Sequence, residues 1–73
     1  MFEDLKKEEL AVIFQDYTLS HNDGRMCESL VPFAEEYRRT SGMNDLLPLY
    51  VALEIVCKDF FEEVAKRFFE YDN

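Results

Sequence analysis

The sequence predicts a small all-α domain. Three observations carry that expectation. Two prolines and two glycines in 73 residues leave material for few turns. Apolar residues recur at i, i+3, i+4 and i+7 along most of the chain. The clearest run of turn-forming residues is Ser20-His21-Asn22-Asp23-Gly24. Few turns in a short chain mean few, long segments, whereas an all-β domain needs many. The expected arrangement is one domain over residues 1–73: a helical hairpin and one long C-terminal helix, with helices at about 2–19, 26–40 and 44–71, completed as a helical-bundle homodimer.

In the first segment Glu3 and Asp4 suit the positive end of a helix dipole. Leu5, Val12 and Leu19 repeat every seven residues, and Leu10, Ile13, Phe14 and Tyr17 widen the stripe into a broad apolar face. Asn, Asp and Gly tolerate left-handed backbone, so residues 20–24 read as a helix–helix loop. In the second segment Met26, Leu30, Phe33, Ala34 and Tyr37 form a stripe interrupted by Pro32. Proline lacks an amide hydrogen and clashes with the preceding turn, which favours a regular helix starting near Ser29 with Pro32 in its first turn. Arg38 and Arg39 suit the C-terminal end, and Gly42 suits a left-handed cap onto which Met43 packs back.

The third segment has Asn44 as its expected N-cap and Pro48 in or near its first turn. About 28 residues follow without another breaker, roughly 42 Å of helix. Its halves differ. From Leu46 to Val56 the apolar residues surround the whole circumference, a pattern that demands burial on all sides. Beyond Lys58 the helix is amphipathic, with Phe60, Phe61, Val64, Phe68 and Tyr71 on one side. Two other helices cover only about half of the first part, so a second copy of the chain is expected to cover the rest.

Size supports that expectation. A domain this short buries only roughly 60–65 % of its unfolded surface and needs a staple, good helix packing or a partner. The aromatic share is 15 %, with seven Phe and four Tyr, which points to a core or interface built from large rings.

Sixteen Asp and Glu stand against eight Lys and Arg, a net charge of −8. Such a surface repels nucleic-acid backbones and anionic lipid, and favours basic partners. No direct contact with nucleic acid or membrane is expected. The two cysteines, Cys27 and Cys57, are too few for a disulfide framework and read as free thiols in a reducing compartment. The acidic start Met1-Phe2-Glu3-Asp4 does not resemble a signal peptide, and the apolar run 46–57 is too short to span a bilayer. The expected location is cytoplasmic.

Catalytic, metal and cofactor constellations are not expected. His21 is the single histidine, no Glu-x-x-His pair exists for di-iron chemistry, and the acids around Gly24 miss EF-hand spacing. Arg25 could lower the pKa of Cys27 at a helix start, but a buried, idle thiol is the better expectation, and Cys57 reads as core. Glu54 either sits in an apolar setting or marks a solvent-facing strip with Lys58; the strip is preferred.

The function expected is therefore non-enzymatic: a homodimeric protein-interaction module of small-regulator or inhibitor type. Its partner is a second copy of itself or another protein, for which a basic surface would suit the charge. The candidate interface comprises Leu46, Leu47, Tyr50, Val51, Leu53 and Glu54, with Phe60, Phe61, Phe68 and Phe69 at the aromatic end. The alternative is an acidic decoy that imitates nucleic-acid phosphates and blocks a nucleic-acid-binding protein. Phage-encoded inhibitors of restriction or CRISPR systems are of this general size and charge. The pairs Glu8-Glu9, Glu35-Glu36 and Glu62-Glu63 suit such a decoy, whereas Lys6-Lys7, Arg38-Arg39 and Lys66-Arg67 weaken it.

Overall fold

The computed structural model describes residues 1–42 and 46–69. Among the described residues there are three helices, α1 (Lys7–Asp23), α2 (Val31–Thr40) and α3 (Leu49–Phe68), with a 3-10 turn at Glu28–Leu30 ahead of α2. No strand occurs among the described residues.

The helix ends differ from the sequence expectation for local reasons. α1 begins at Lys7, not near Phe2, and Glu9 Oε1 accepts the Lys6 amide at 2.7 Å to satisfy an orphan donor of the first turn. Residues 20–23, expected as a loop, continue the helix. The buried Ser20 hydroxyl donates to the Tyr17 carbonyl at 2.9 Å, and the left-handed Gly24 (φ 70°) ends the helix alone. The amides of Gly24 and Arg25 return to the carbonyls of His21 and Ser20, at 3.2 and 2.9 Å.

Pro32 lies in the first turn of α2, where its missing amide costs nothing. The regular helix starts at Val31, two residues later than expected, because the 3-10 turn takes the preceding residues. Gly42 adopts the expected left-handed conformation (φ 74°). The expected roles of Met43 and Asn44 lie outside the described residues. Pro48 is the N-cap residue of α3, so the helix starts at Leu49 and runs 20 residues, roughly 30 Å rather than 42 Å. The described helix ends at Phe68; the expected extension to Tyr71 lies outside the described residues.

The hairpin of the first two helices is not the packing unit. The α2 and α3 backbones approach most closely, and the 3-10 turn touches all three helices. The core is Leu10, Cys27, Leu30, Ala34, Ala52, Val56, Phe60 and Val64, joined by Phe2 from ahead of α1. The Phe2 ring lies 4.7 Å from Phe33 and 5.4 Å from Phe60. Small residues, Ala34 and Ala52, are fully buried in the two close helices; such residues let backbones approach. Between α1 and α3 the spacers are rings: Phe14 stands 6.5 Å from Phe60 and 6.2 Å from Phe61, and Tyr17 stands 4.7 Å edge-on to Phe61.

Candidate functional site

The large spacers leave a groove open between α1 and the C-terminal half of α3. Its volume is ≈ 520 Å³, and its lining includes Ala11, Phe14, Thr18, Leu19, Val64 and Phe68. An adjoining hollow of ≈ 360 Å³ extends it past Phe61 and Ala65, and Phe69 borders both. Among the described residues, no charged side chain lines either part, although a third of the sequence is charged. Lys7 marks one rim, its Nζ 5.5 Å above the Phe68 ring, a cation–π distance. Arg67 ties the segment ahead of α1 to α3: Nη1 donates to the Leu5 carbonyl at 2.5 Å and lies 3.6 Å from Glu63.

Two of the three heptad-spaced residues, Val12 and Leu19, face outward here. They are 65 % and 52 % exposed and are not part of the expected apolar packing face; Leu19 lines the groove. The inward contacts come from the other residues of the stripe: Leu10 is buried, and Leu5, Ile13, Phe14 and Tyr17 pack half-buried against the core. At about 100° per residue Val12 and Leu19 lie on roughly the opposite side of α1 from Leu10, Phe14 and Tyr17, so one core cannot bury both rows.

The expected interface residues divide. Phe60 is fully buried at the core centre and presents no surface. Leu47, Val51 and Leu53 are half-buried. Around the apolar circumference of the first half of α3, Val56 is buried, and Leu49 and Ile55 are half-buried like Leu47, Val51 and Leu53. Leu46 and Tyr50 remain exposed, in line with exposed Glu54 and Lys58. Phe61, Phe68 and Phe69 are exposed at the groove. Val12 and Leu19 are absent from the expected interface; the signal that sets them apart is their position on the helix, roughly opposite Leu10, Phe14 and Tyr17 at about 100° per residue.

A smaller cleft of ≈ 200 Å³ is lined by Tyr17, Met26, Cys27, Leu53 and Cys57 among others, with His21, Arg25 and Glu54 also in its wall. Cys27 is buried, and its thiol donates to Asp16 Oδ2 at 3.5 Å. Burial first, and then the Asp16 carboxylate, push its pKa up; Arg25 does not activate it. Cys57 is half-buried rather than core, and burial raises its pKa as well. The Tyr17 phenol is also raised, by burial and then by its neighbour Cys57. A raised thiol pKa means little thiolate and weak nucleophilicity near neutral pH. Asp16 serves the structure instead. Its carboxylate accepts the Ser29 amide at 3.1 Å, tying the 3-10 turn to α1. The Ser29 hydrogen bonds hold its carboxyl below the usual carboxylate range.

Among the described residues, no three His, Cys, Asp or Glu are placed to hold a metal ion, and no helix is long and apolar enough to cross a membrane. Comparison of the chain with family models, curated proteins and solved structures finds no match.

Proposed function

We propose that this chain is a non-catalytic protein-interaction module, a small regulator or inhibitor, that works as a two-fold homodimer. The observation that carries the reading is the set of large apolar side chains left uncovered along one groove: Leu19, Phe61, Phe68 and Phe69. Contiguous exposed apolar surface on a small acidic protein marks a contact site. Chains of this size gain needed burial by assembling, and two-fold dimers are the commonest assembly. Sedimentation velocity over a concentration series tests it. A mass that rises reversibly from one chain to two is expected; one-chain mass throughout refutes the homodimer.

The acidic-decoy reading has one observation in its favour, the exposure of Glu8, Glu9, Glu35, Glu36 and Glu62. It requires binding to a nucleic-acid-binding protein that DNA or RNA displaces and that salt weakens steeply. Exposed Lys7, Lys58 and Lys66 break up the acidic surface, which favours the first reading.

A further inference from the structure

We infer that the outward face of α1 docks a basic amphipathic helix of another protein, with Val12 and Leu19 as its apolar contacts and Glu8, Asp16 and Asp23 meeting the partner's Lys or Arg side chains. This goes beyond the homodimer reading. It assigns a different partner to a different helix face, and it keeps only the premise that the chain is an interaction module.

The face is set by spacing and exposure together. Glu8, Val12, Asp16, Leu19 and Asp23 follow one another along α1 at steps of four, four, three and four residues, so they fall within about 80° of one another around the helix. Val12 and Leu19 are 65 % and 52 % exposed. Glu8 and Asp23 are exposed, and Asp16 is half-buried. Each apolar residue therefore has a carboxylate one turn before it and one turn after it. The face carries no Lys or Arg of α1: Gln15 and Asn22 beside it are neutral and exposed, and Lys7 is turned away over the Phe68 ring. Arg25 Nε lies 3.4 Å from Asp23 at the end of the face, in a solvent-exposed pair. Three carboxylates against this one guanidinium leave the face acidic.

Charge selects the occupant. A second copy would bring another chain of −8 against this acidic face. An uncharged apolar helix would strip water from the carboxylates and offer them no partner. Nucleic acid and anionic lipid are repelled. A helix with Lys or Arg one turn to either side of its own apolar residues answers every group on the face, because flanking charges select the partner when two helices pair. The neighbouring α1–α3 groove has no charged lining and makes no such selection. Leu19 lines that groove as well; Val12 belongs to the outward face alone.

The dimensions fit one helix. From Glu8 to Asp23 the face is roughly 22 Å long, about four turns, so the partner contributes a segment of similar length. Two apolar contacts and a few exposed ion pairs make a weak, reversible complex whose affinity falls with salt.

The test uses the isotope-labelled full chain and, as probe, a synthetic helix of about 18 residues of Leu and Lys with Leu at i, i+3 and i+4 spacing. Two comparison peptides have the same residues in scrambled order, or Glu in place of Lys. The Leu/Lys helix should bind at least about 10-fold more tightly than either, and should shift the Val12 and Leu19 methyl resonances but not those of Leu46. Raising NaCl from about 0.05 to 0.5 M should weaken it by about 10-fold. Gln is a good helix former, so Val12→Gln/Leu19→Gln should lower affinity by about 10-fold with an unchanged far-ultraviolet spectrum. Glu8→Gln/Asp23→Asn should reduce the salt dependence by about half, and Leu46→Gln/Tyr50→Gln should stay within about 3-fold of wild type. Three results overturn the assignment: no binding up to about 1 mM peptide, equal binding of the scrambled peptide, or shifts at Phe61 and Phe68 without one at Val12. A Val12 shift on dilution of the chain alone means that a second copy covers this face, and overturns it too. Sedimentation without peptide scores the homodimer separately, so either reading can fail while the other stands.

Discussion

Phe2→Ala is the most informative perturbation of the fold. Phe2 lies outside any helix, yet it is 2 % exposed and packs against Phe33 and Phe60 from two different helices. A ring of about 200 Å² buried at roughly 25 cal/mol per Å² corresponds to about 5 kcal/mol. Allowing for the roughly 10–40 % of that area a denatured chain already hides brings the figure to roughly 3–4.5 kcal/mol. The rest of the N-terminal segment is held to the body by the Arg67 hydrogen bond to the Leu5 carbonyl and by Leu5 packing against the core. Without the ring the segment can detach, which caps the loss near the lower figure. The expected cost is about 3 kcal/mol, a large part of the ~4–11 kcal/mol that a domain of this size possesses. Urea unfolding followed by circular dichroism measures it, with Phe2→Leu as the milder control at about 1 kcal/mol. A Phe2→Ala loss below about 1 kcal/mol, with unchanged urea slope, refutes the placement of Phe2 in the core.

Three further outcomes follow from named contacts. Asp16→Asn should destabilise the fold at neutral pH, because the carboxylate holds Ser29 and Cys27. The folded pKa of Asp16 is depressed, so its stabilisation is present above the unfolded value and lost as pH falls through the folded one. The variant should therefore show a flatter acid limb of stability, and an acid limb identical to wild type counts against the contact. Both thiols have raised pKa values with burial as the first cause, so they should react slowly with a disulfide reagent at about pH 8 and rapidly once urea unfolds the chain. Fast labelling of two thiols in the native protein contradicts this. At Gly24, φ is +70° and an added Cβ meets nothing within 4 Å, so Gly24→Ala should cost only the backbone term, about 1 kcal/mol, or roughly 4–8 °C in melting temperature. A neutral result means the left-handed cap is not required.

Much of the local structure is legible in the sequence because it depends on local chemistry. Helical spacing and scarce turn residues specify an all-α chain, and the left-handed glycines and early-turn prolines follow from backbone sterics. Sequence and structure part where one local signal competes with another. Asn22 and Asp23 favour turns, yet the helix runs on until Gly24, since a single αL residue suffices to end it. The turn-forming cluster is five residues wide, and one of them acts.

What residue spacing alone determined about this protein is its class, its approximate helices, its acidity and the presence of large rings in search of cover. Which rings find cover was decided only in three dimensions. Phe60 and Phe61 are neighbours in sequence, but one is fully buried and the other 37 % exposed, because small residues draw α2 against α3 while rings hold α1 away from it. Helix-to-helix distance is set by the side chains of both partners, a property of no single segment. That spacing leaves uncovered apolar surface in the groove that Leu19, Phe61, Phe68 and Phe69 line, in addition to Leu46 and Tyr50 at the start of α3, where all-round apolarity had pointed.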